Sequence, residues 1–248
     1  MSVPADNRIH PLMALRAVRG LLRDREDTRQ AFLLVEALRG NTTLRQFARF
    51  CASESGRRLL AKHPSLLAHL SDRQSLAALP SGSLGRTYFD FVSEENLSAE
   101  GLVEASKIRA TPPPADDITW FRERNREMHD LLHVVAGYGR DPLGEACVLA
   151  FTFAQNGSRG AAAIALVGAW RNLRRLRTLR APRAVWEAYR QGRRALWLIG
   201  ADWETLLEQP LDEVRVRFRV ATPLHYPQLR ERSVGAAAAE DQMRLVAA

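Results

Sequence analysis

The chain has 248 residues, a net charge of +8 and a hydrophobic fraction of 46%, enough to bury a full core as one large domain or two small ones. No apolar run reaches the ~20 residues of a membrane-spanning helix, and the N-terminal MSVPADNRIHPL has neither the charged start nor the apolar centre of a signal peptide. The two cysteines, Cys51 and Cys147, lie far apart and form no disulfide framework, so a soluble cytoplasmic protein is expected.

Leucine and alanine dominate while aromatic residues make up 7%, a balance that favours helix over sheet. In chain order, EDTRQAFLLVEALRG predicts a helix capped by Asp27 or Thr28 and stopped at Gly40. Further helical stretches fall at 42–52 and 64–79, punctuated by Pro64 and Pro80. LPSGSLGRTYFDF reads as a loop delivering a short helix with an aromatic cluster, Tyr88, Phe89 and Phe91. TPPP at 111–114 cannot be helical internally and predicts a stiff linker. Asp116 or Asp117 caps a helix over 118–136, which GYGRDP breaks. Asp141 at the N-cap and Pro142 at the first helical position start the next, which ends at Asn156–Gly157. Two long helices, 160–179 and 183–199, follow. Neither strand-like alternation nor an internal repeat is present in the sequence. The predicted fold is all-α: a single multi-helix domain over 1–222, its metal-site helices at about 118–155, followed by a loosely held tail over 223–248.

The charge is concentrated. Residues 171–194 hold nine arginines against one acid, Glu187, and the rest of the chain is neutral overall. This segment is a candidate surface for an anionic membrane or for phosphate groups. In a chain with lysine only at Lys62 and Lys107, a solvated arginine-rich face is the plainer alternative. No nucleic-acid partner is expected, because no binding motif and little aromatic interleaving accompany the arginines.

The stretch HDLLHVVAGYGRDPLGE, residues 129–145, carries the strongest chemical signal. On a helical wheel His133 falls about 40° from His129, and Asp130 about 100° from it. Met128, Leu131, Leu132 and Val135 occupy the opposite arc, while Arg122 and Arg126 share the polar one. Histidines at i and i+4 aim two imidazoles at a common point, the geometry of zinc-binding helices. Gly137, Gly139 and Pro142 form a tight turn that lets the next helix pack antiparallel and return Glu145 towards the histidine face. Two nitrogens and two oxygens, from His129, Asp130, His133 and Glu145, are therefore the candidate ligands of a divalent ion between two antiparallel helices. A metal phosphohydrolase or a zinc peptidase fits poorly, the first in spacing and the second because Asp130 is a methylene short of the usual glutamate base.

HD-x2-H-x11-E resembles the signature of the coenzyme Q biosynthesis protein 4 homologues, met here at His129, Asp130, His133 and Glu145. LPSGSLGRTYFDFVSEENLSAEGL, RERNREMHD, GYGRDPLGE and WEAYRQGRRA with LIGADWE resemble further blocks of that family in the same order, covering roughly 80–215. The chain departs at Leu132, where many members have tryptophan, and at Asn125, where tyrosine is common. The resemblance implies an all-α protein binding Zn2+, with Fe2+ or another divalent ion as the alternative, peripherally associated with the bacterial inner membrane. It also implies a role in ubiquinone biosynthesis, linked to loss of the C1 carboxyl of a polyprenylated 4-hydroxybenzoate. The implied partners are that aromatic substrate, other ubiquinone-biosynthesis proteins and a second copy of the chain. A non-catalytic lipid-binding scaffold with a structural metal is the competing expectation.

For the decarboxylation, Asp130 or Glu145 is the candidate proton donor to C1. Arg140 is the candidate partner of the leaving carboxylate, and Arg126 is expected to bridge Asp130 at i+4. Zinc suits only a non-oxidative route, whereas two histidines and a carboxylate with open positions suit iron(II) in an oxidative one. The apolar helices around 146–154 and 160–170 are candidate walls for a polyprenyl tail, although ordinary core packing also accounts for them.

Overall fold

The computed structural model describes residues 8–23, 28–93 and 116–247; Asp27 and the TPPP segment lie outside them. Among the described residues every regular element is a helix, as expected, and the one ladder contact is an isolated bridge between Ser83 and Pro210. The α-helices are α1 (Pro11–Arg23), α2 (Thr28–Ala37), α3 (Thr42–Ala52), α4 (Glu54–Lys62), α5 (Leu66–Ser71), α6 (Arg73–Ala78), α7 (Leu84–Ser93), α8 (Asp117–Glu127), α9 (His129–Ala136), α10 (Pro142–Asn156), α11 (Arg159–Leu176), α12 (Arg180–Arg194), α13 (Trp203–Leu206), α14 (Leu211–Phe218) and α15 (Arg230–Ala247). The helix expected over 118–136 is interrupted at Met128, a buried residue with ψ near zero that separates α8 from α9. The stretch at 64–79 divides at Asp72, which ends α5 and caps α6 by accepting from the Ser75 N–H.

The chain forms two compact units, each assembled from separated segments. One comprises Met1–Gln46, Ala136–Leu198 and Phe218–Ala248. Its central helix is α10, which packs against α11, α12 and α15. Its buried residues form a broad face that includes Leu143, Cys147, Val148 and Phe151. Small residues permit close packing. A β-carbon on Gly192 of α12 would sit 2.6 Å from the Phe151 carbonyl oxygen, and one on Gly168 of α11 would sit 2.8 Å from the Ala146 β-carbon. Gln155, buried on α10, donates to the Gly192 carbonyl at 2.7 Å and accepts from the Leu198 N–H at 2.8 Å, so its amide is satisfied where water is excluded. On α1 and α2, Met13, Ala17, Leu21, Leu33 and Leu34 form an apolar cluster joined by Ala163 and Ile164 of α11.

The segment after Pro223, expected to be loosely held, is instead anchored in this unit. Tyr226, Leu229 and Ser233 are buried, and the Ser233 hydroxyl accepts from the Leu143 N–H and the Arg175 guanidinium.

The other unit comprises Phe47–Val135 and Ile199–Arg217. Phe47, Phe50, Trp120 and Phe121 meet with ring centroids 5.0–6.0 Å apart. Arg124, 3% exposed, grips both carboxylate oxygens of Glu204 at 2.6 and 2.7 Å and also donates to the Ala201 carbonyl. The PSGSLG loop is bonded to a second chain segment: Leu84 N–H donates to Gln209, Gly85 N–H to Leu207, and Leu211 N–H to Gly82. Gly82 takes a φ of +81°, which a side chain would strain. The glycines and serines of that block therefore build a turn that carries α7 and its aromatic residues.

Candidate metal centre

α9 follows α8 almost without a break: Met128 N–H bonds the Arg124 carbonyl, and Leu132 N–H bonds the Met128 carbonyl. His129 and Asp130 thus open α9, and an acidic residue there opposes the positive end of the helix dipole. The polar arc seen on the helical wheel faces water at Arg122 and Arg126 but turns inward along α9. His133 is fully buried, as are Leu131, Leu132, Val134 and Val135 around it, while His129 and Asp130 are partly buried. Phe91 of α7 lies against the His133 ring with centroids 5.6 Å apart, so the aromatic segment helps hold one imidazole.

The Nε2 atoms of His129 and His133 stand 3.3 Å apart, and the rings meet edge-on at 86°. Metal–nitrogen bonds of 2.0–2.1 Å at a tetrahedral angle separate two ligand nitrogens by about 3.3 Å. Ligand atoms of His129, Asp130 and His133 all fall within 4.8 Å of one another. Two imidazoles and a carboxylate at this spacing fit a divalent ion, with the donor types zinc and iron(II) accept.

The structure gathers three of the four expected ligands on α9. Glu145 belongs to the other compact unit, in the first turn of α10. There it lines a cavity of about 700 Å3 with Arg140, Leu149, Ile164, Trp170 and Arg174. A wall that carries both charged and apolar side chains suits an amphipathic guest. Arg126 is exposed, and the arginine of α8 that is buried is Arg124, which grips Glu204.

The turn before α10 is built as expected and held by partners the sequence did not announce. Asp141 caps α10 by accepting from Leu143 N–H at 3.1 Å and Gly144 N–H at 3.3 Å, with Pro142 in the first turn. The Tyr226 hydroxyl donates to Asp141 and accepts from Gly139 N–H at 2.9 Å. Burial, reinforced by the Asp141 charge, pushes the Tyr226 phenol far up, so it stays a donor. Gly144 allows this fold: a β-carbon there would lie 2.0 Å from the Gly139 carbonyl oxygen. A glycine inside the first turn of a helix is the one sequence signal that pointed to such a close approach. Cys147, two residues beyond Glu145, is fully buried and its thiol is pushed well up by that burial, the environment of a packing residue.

Fold and cluster together define an all-helical protein with a candidate divalent-cation site on a buried helix. A family model described as Coenzyme Q (ubiquinone) biosynthesis protein Coq4 matches residues 10–223, and the chain belongs to that family. A zebrafish (Danio rerio) relative, the mitochondrial ubiquinone biosynthesis protein COQ4 homolog, is 31% identical over 169 residues. The match covers 68% of this chain and 60% of that protein, so the chain spans about three-fifths of the zebrafish relative's length. The Schizosaccharomyces japonicus mitochondrial ubiquinone biosynthesis protein coq4 is likewise 31% identical, over 68% of this chain and 69% of its own length. The crystal structure of a Nostoc punctiforme protein described as a ubiquinone biosynthesis protein has the same fold, with a TM-score of 0.61 at 21% identity, over 87% of this chain and 100% of that one. No helix among the described residues is long and apolar enough to cross a membrane.

Proposed function

We propose that the chain serves ubiquinone biosynthesis by removing the C1 carboxyl group of a polyprenylated 4-hydroxybenzoate at a divalent-metal centre. The supporting observation is the His129–His133 pair, its Nε2 atoms 3.3 Å apart beside Asp130 on a buried helix. Glu145 is the fourth candidate ligand by the family's signature spacing alone. A bound zinc ion would act as a Lewis acid towards the substrate's oxygens.

Protonation at C1 breaks the aromatic ring's conjugation, and the para-hydroxyl oxygen stabilises the resulting cation. The C1–carboxyl bond then breaks, carbon dioxide leaves, and the bonding pair restores the ring. Asp130 or Glu145, whichever is not a permanent ligand of the ion, supplies the proton. Arg140, on the wall of the 700 Å3 cavity, is placed by type to pair with a carboxylate in a bidentate fork. The apolar wall of that cavity, with Leu149, Ile164 and Trp170, is a place for the prenyl chain.

The test is incubation of metal-defined protein with a polyprenylated 4-hydroxybenzoate, with and without oxygen. Carbon dioxide and a C1-unsubstituted phenol formed anaerobically support the reading. A C1-hydroxylated product that requires oxygen assigns the oxidative route and iron(II) instead. Metal-loaded protein that forms neither is the non-catalytic scaffold, its ion tying the fold together.

A further inference from the structure

Two sets of residues stand out within the arginine-rich segment. Arg171 donates to the Leu21 carbonyl at 2.7 Å, and Arg175 donates to Asn172 and Ser233, so these hold the fold together. Arg183, Arg190 and Arg194 do something different. They are exposed and line a cavity of about 500 Å3, joined there by Arg219 from outside the segment. The only carboxylate on its wall is Glu187, whose two oxygens accept from the Leu224 and His225 N–H groups at 2.9 Å each. Gln191 clamps the same loop by donating to the Ala221 carbonyl, while its own oxygen accepts from the Tyr138 hydroxyl at 3.1 Å. The one acid is thus engaged in fixing the loop that brings Arg219 to the cavity. Arg219 has a φ of +56°, a left-handed conformation that a glycine would hold without strain.

Four guanidiniums facing one hollow against a single, already engaged carboxylate call for an anion, and their planar forks match phosphate oxygens bidentately. Two apolar side chains of the same wall point to where that phosphate comes from: Trp186 is 59% exposed and Leu224 is 71% exposed. Tryptophan beside arginine, with the ring left in solvent, is the composition of a membrane interface. We propose that this cavity binds the phosphate of an anionic phospholipid headgroup, with Trp186 and Leu224 in the interfacial layer of the bilayer. The site stands apart from the metal reading, since none of its residues is a candidate ligand.

Sedimentation of the full chain with vesicles of phosphatidylcholine, alone or with one-third phosphatidylglycerol, tests it. The protein binds the anionic vesicles and not the neutral ones. Each arginine near an anionic surface contributes about a factor of five, so Arg190→Gln/Arg194→Gln weakens partition roughly thirtyfold. Arg219→Gly weakens it roughly fivefold without lowering Tm, because glycine relieves the left-handed residue while the cation is lost. The double change Arg16→Gln/Arg45→Gln removes the same charge at exposed positions that do not line the cavity and leaves partition within about twofold. Equal partition onto both vesicle types overturns the proposal, as does an equal loss in the control pair. Inorganic phosphate at millimolar concentration that displaces wild-type protein from the vesicles would make the ligand a soluble phosphate and overturn the lipid assignment.

Discussion

The Tyr226 hydroxyl is hydrogen-bonded to the carboxylate of Asp141, 85 residues earlier in the chain, and Asp141 is the cap of the helix that carries Glu145. The same hydroxyl accepts from the Gly139 N–H. Tyr226→Phe therefore leaves a half-buried carboxylate and a backbone donor of the turn without this partner. Stability measured by urea unfolding is expected to fall by about 1–3 kcal/mol. Asp141→Ala, which also removes the cap from α10, is expected to cost more. Equal stabilities for wild type and Tyr226→Phe would show that the hydroxyl contributes nothing net.

Two glycines on helices should respond to alanine in opposite directions. At Gly144 the new methyl meets the Gly139 carbonyl oxygen at 2.0 Å, a backbone atom that cannot swing aside. Gly144→Ala is expected to lose about 1–3 kcal/mol or more. Nothing lies within 4 Å of a β-carbon on Gly235 in α15. Gly235→Ala is expected to gain about 0.5–1 kcal/mol through helix propensity. Thermal unfolding of both variants decides the matter, and a stabilised Gly144→Ala would refute the close approach.

Metal content can be read without any assay of turnover. One divalent ion per chain is expected by elemental analysis, and none in a folded His129→Ala/His133→Ala variant. His133 is fully buried, so the singly substituted His129→Gln guards against loss of the fold; it is expected to weaken metal affinity while circular dichroism is unchanged. Undiminished stoichiometry in these variants would remove the centre.

The two carboxylates are expected to separate binding from chemistry. Asp130 has a short side chain at the edge of the histidine arc, whereas Glu145 is longer and more adjustable. Glu145→Gln should weaken metal affinity more than Asp130→Asn, and Asp130→Asn should chiefly lower product formation. The opposite pattern, with metal lost in Asp130→Asn and retained together with activity in Glu145→Gln, would reverse the roles.

Asp116 supplies an acid-limb prediction. Hydrogen bonds from the Thr119 backbone and side chain hold its carboxyl below the usual value of 3.8. A depressed folded-state value stabilises the folded state above the ordinary carboxylate range, and the contribution is lost as pH falls through the lowered value. Asp116→Asn retains a capping oxygen but no titration. Its unfolding free energy should therefore decline less steeply below about pH 4 than that of the wild type. Parallel curves would show that the cap is not linked to protonation.

Much of the fold was legible because helix punctuation is local chemistry. Asp116, Asp141, Pro142 and Gly157 mark helix ends in the structure as they do in the sequence, since each acts on neighbours a few residues away. The i, i+4 histidines were legible for the same reason: one helix sets their spacing. What was not legible depends on pairs distant in sequence. Nothing near Arg124 announces Glu204, 80 residues on, and nothing near Ser233 announces Leu143. The tail was misjudged because its alanine-rich run hides the few residues, Tyr226, Leu229 and Ser233, that bury. Arg219 was missed because charge was counted along the chain, whereas the cavity collects it from two segments.

The segmented make-up of both units bears on how the protein is made. Phe47–Val135 has to wait for Ile199–Arg217, and the unit around α10 has to wait for Phe218–Ala248. On a ribosome, α10 emerges with a broad apolar face and meets α12 and α15 only after roughly 40 and 90 more residues have been added, at ~5–20 residues per second. Until then α11 is the only one of its three packing partners available to cover the apolar residues of α10. Stalling translation between residues 156 and 230 should yield a protease-sensitive chain, and release from the stall should restore resistance only once α15 has left the exit tunnel.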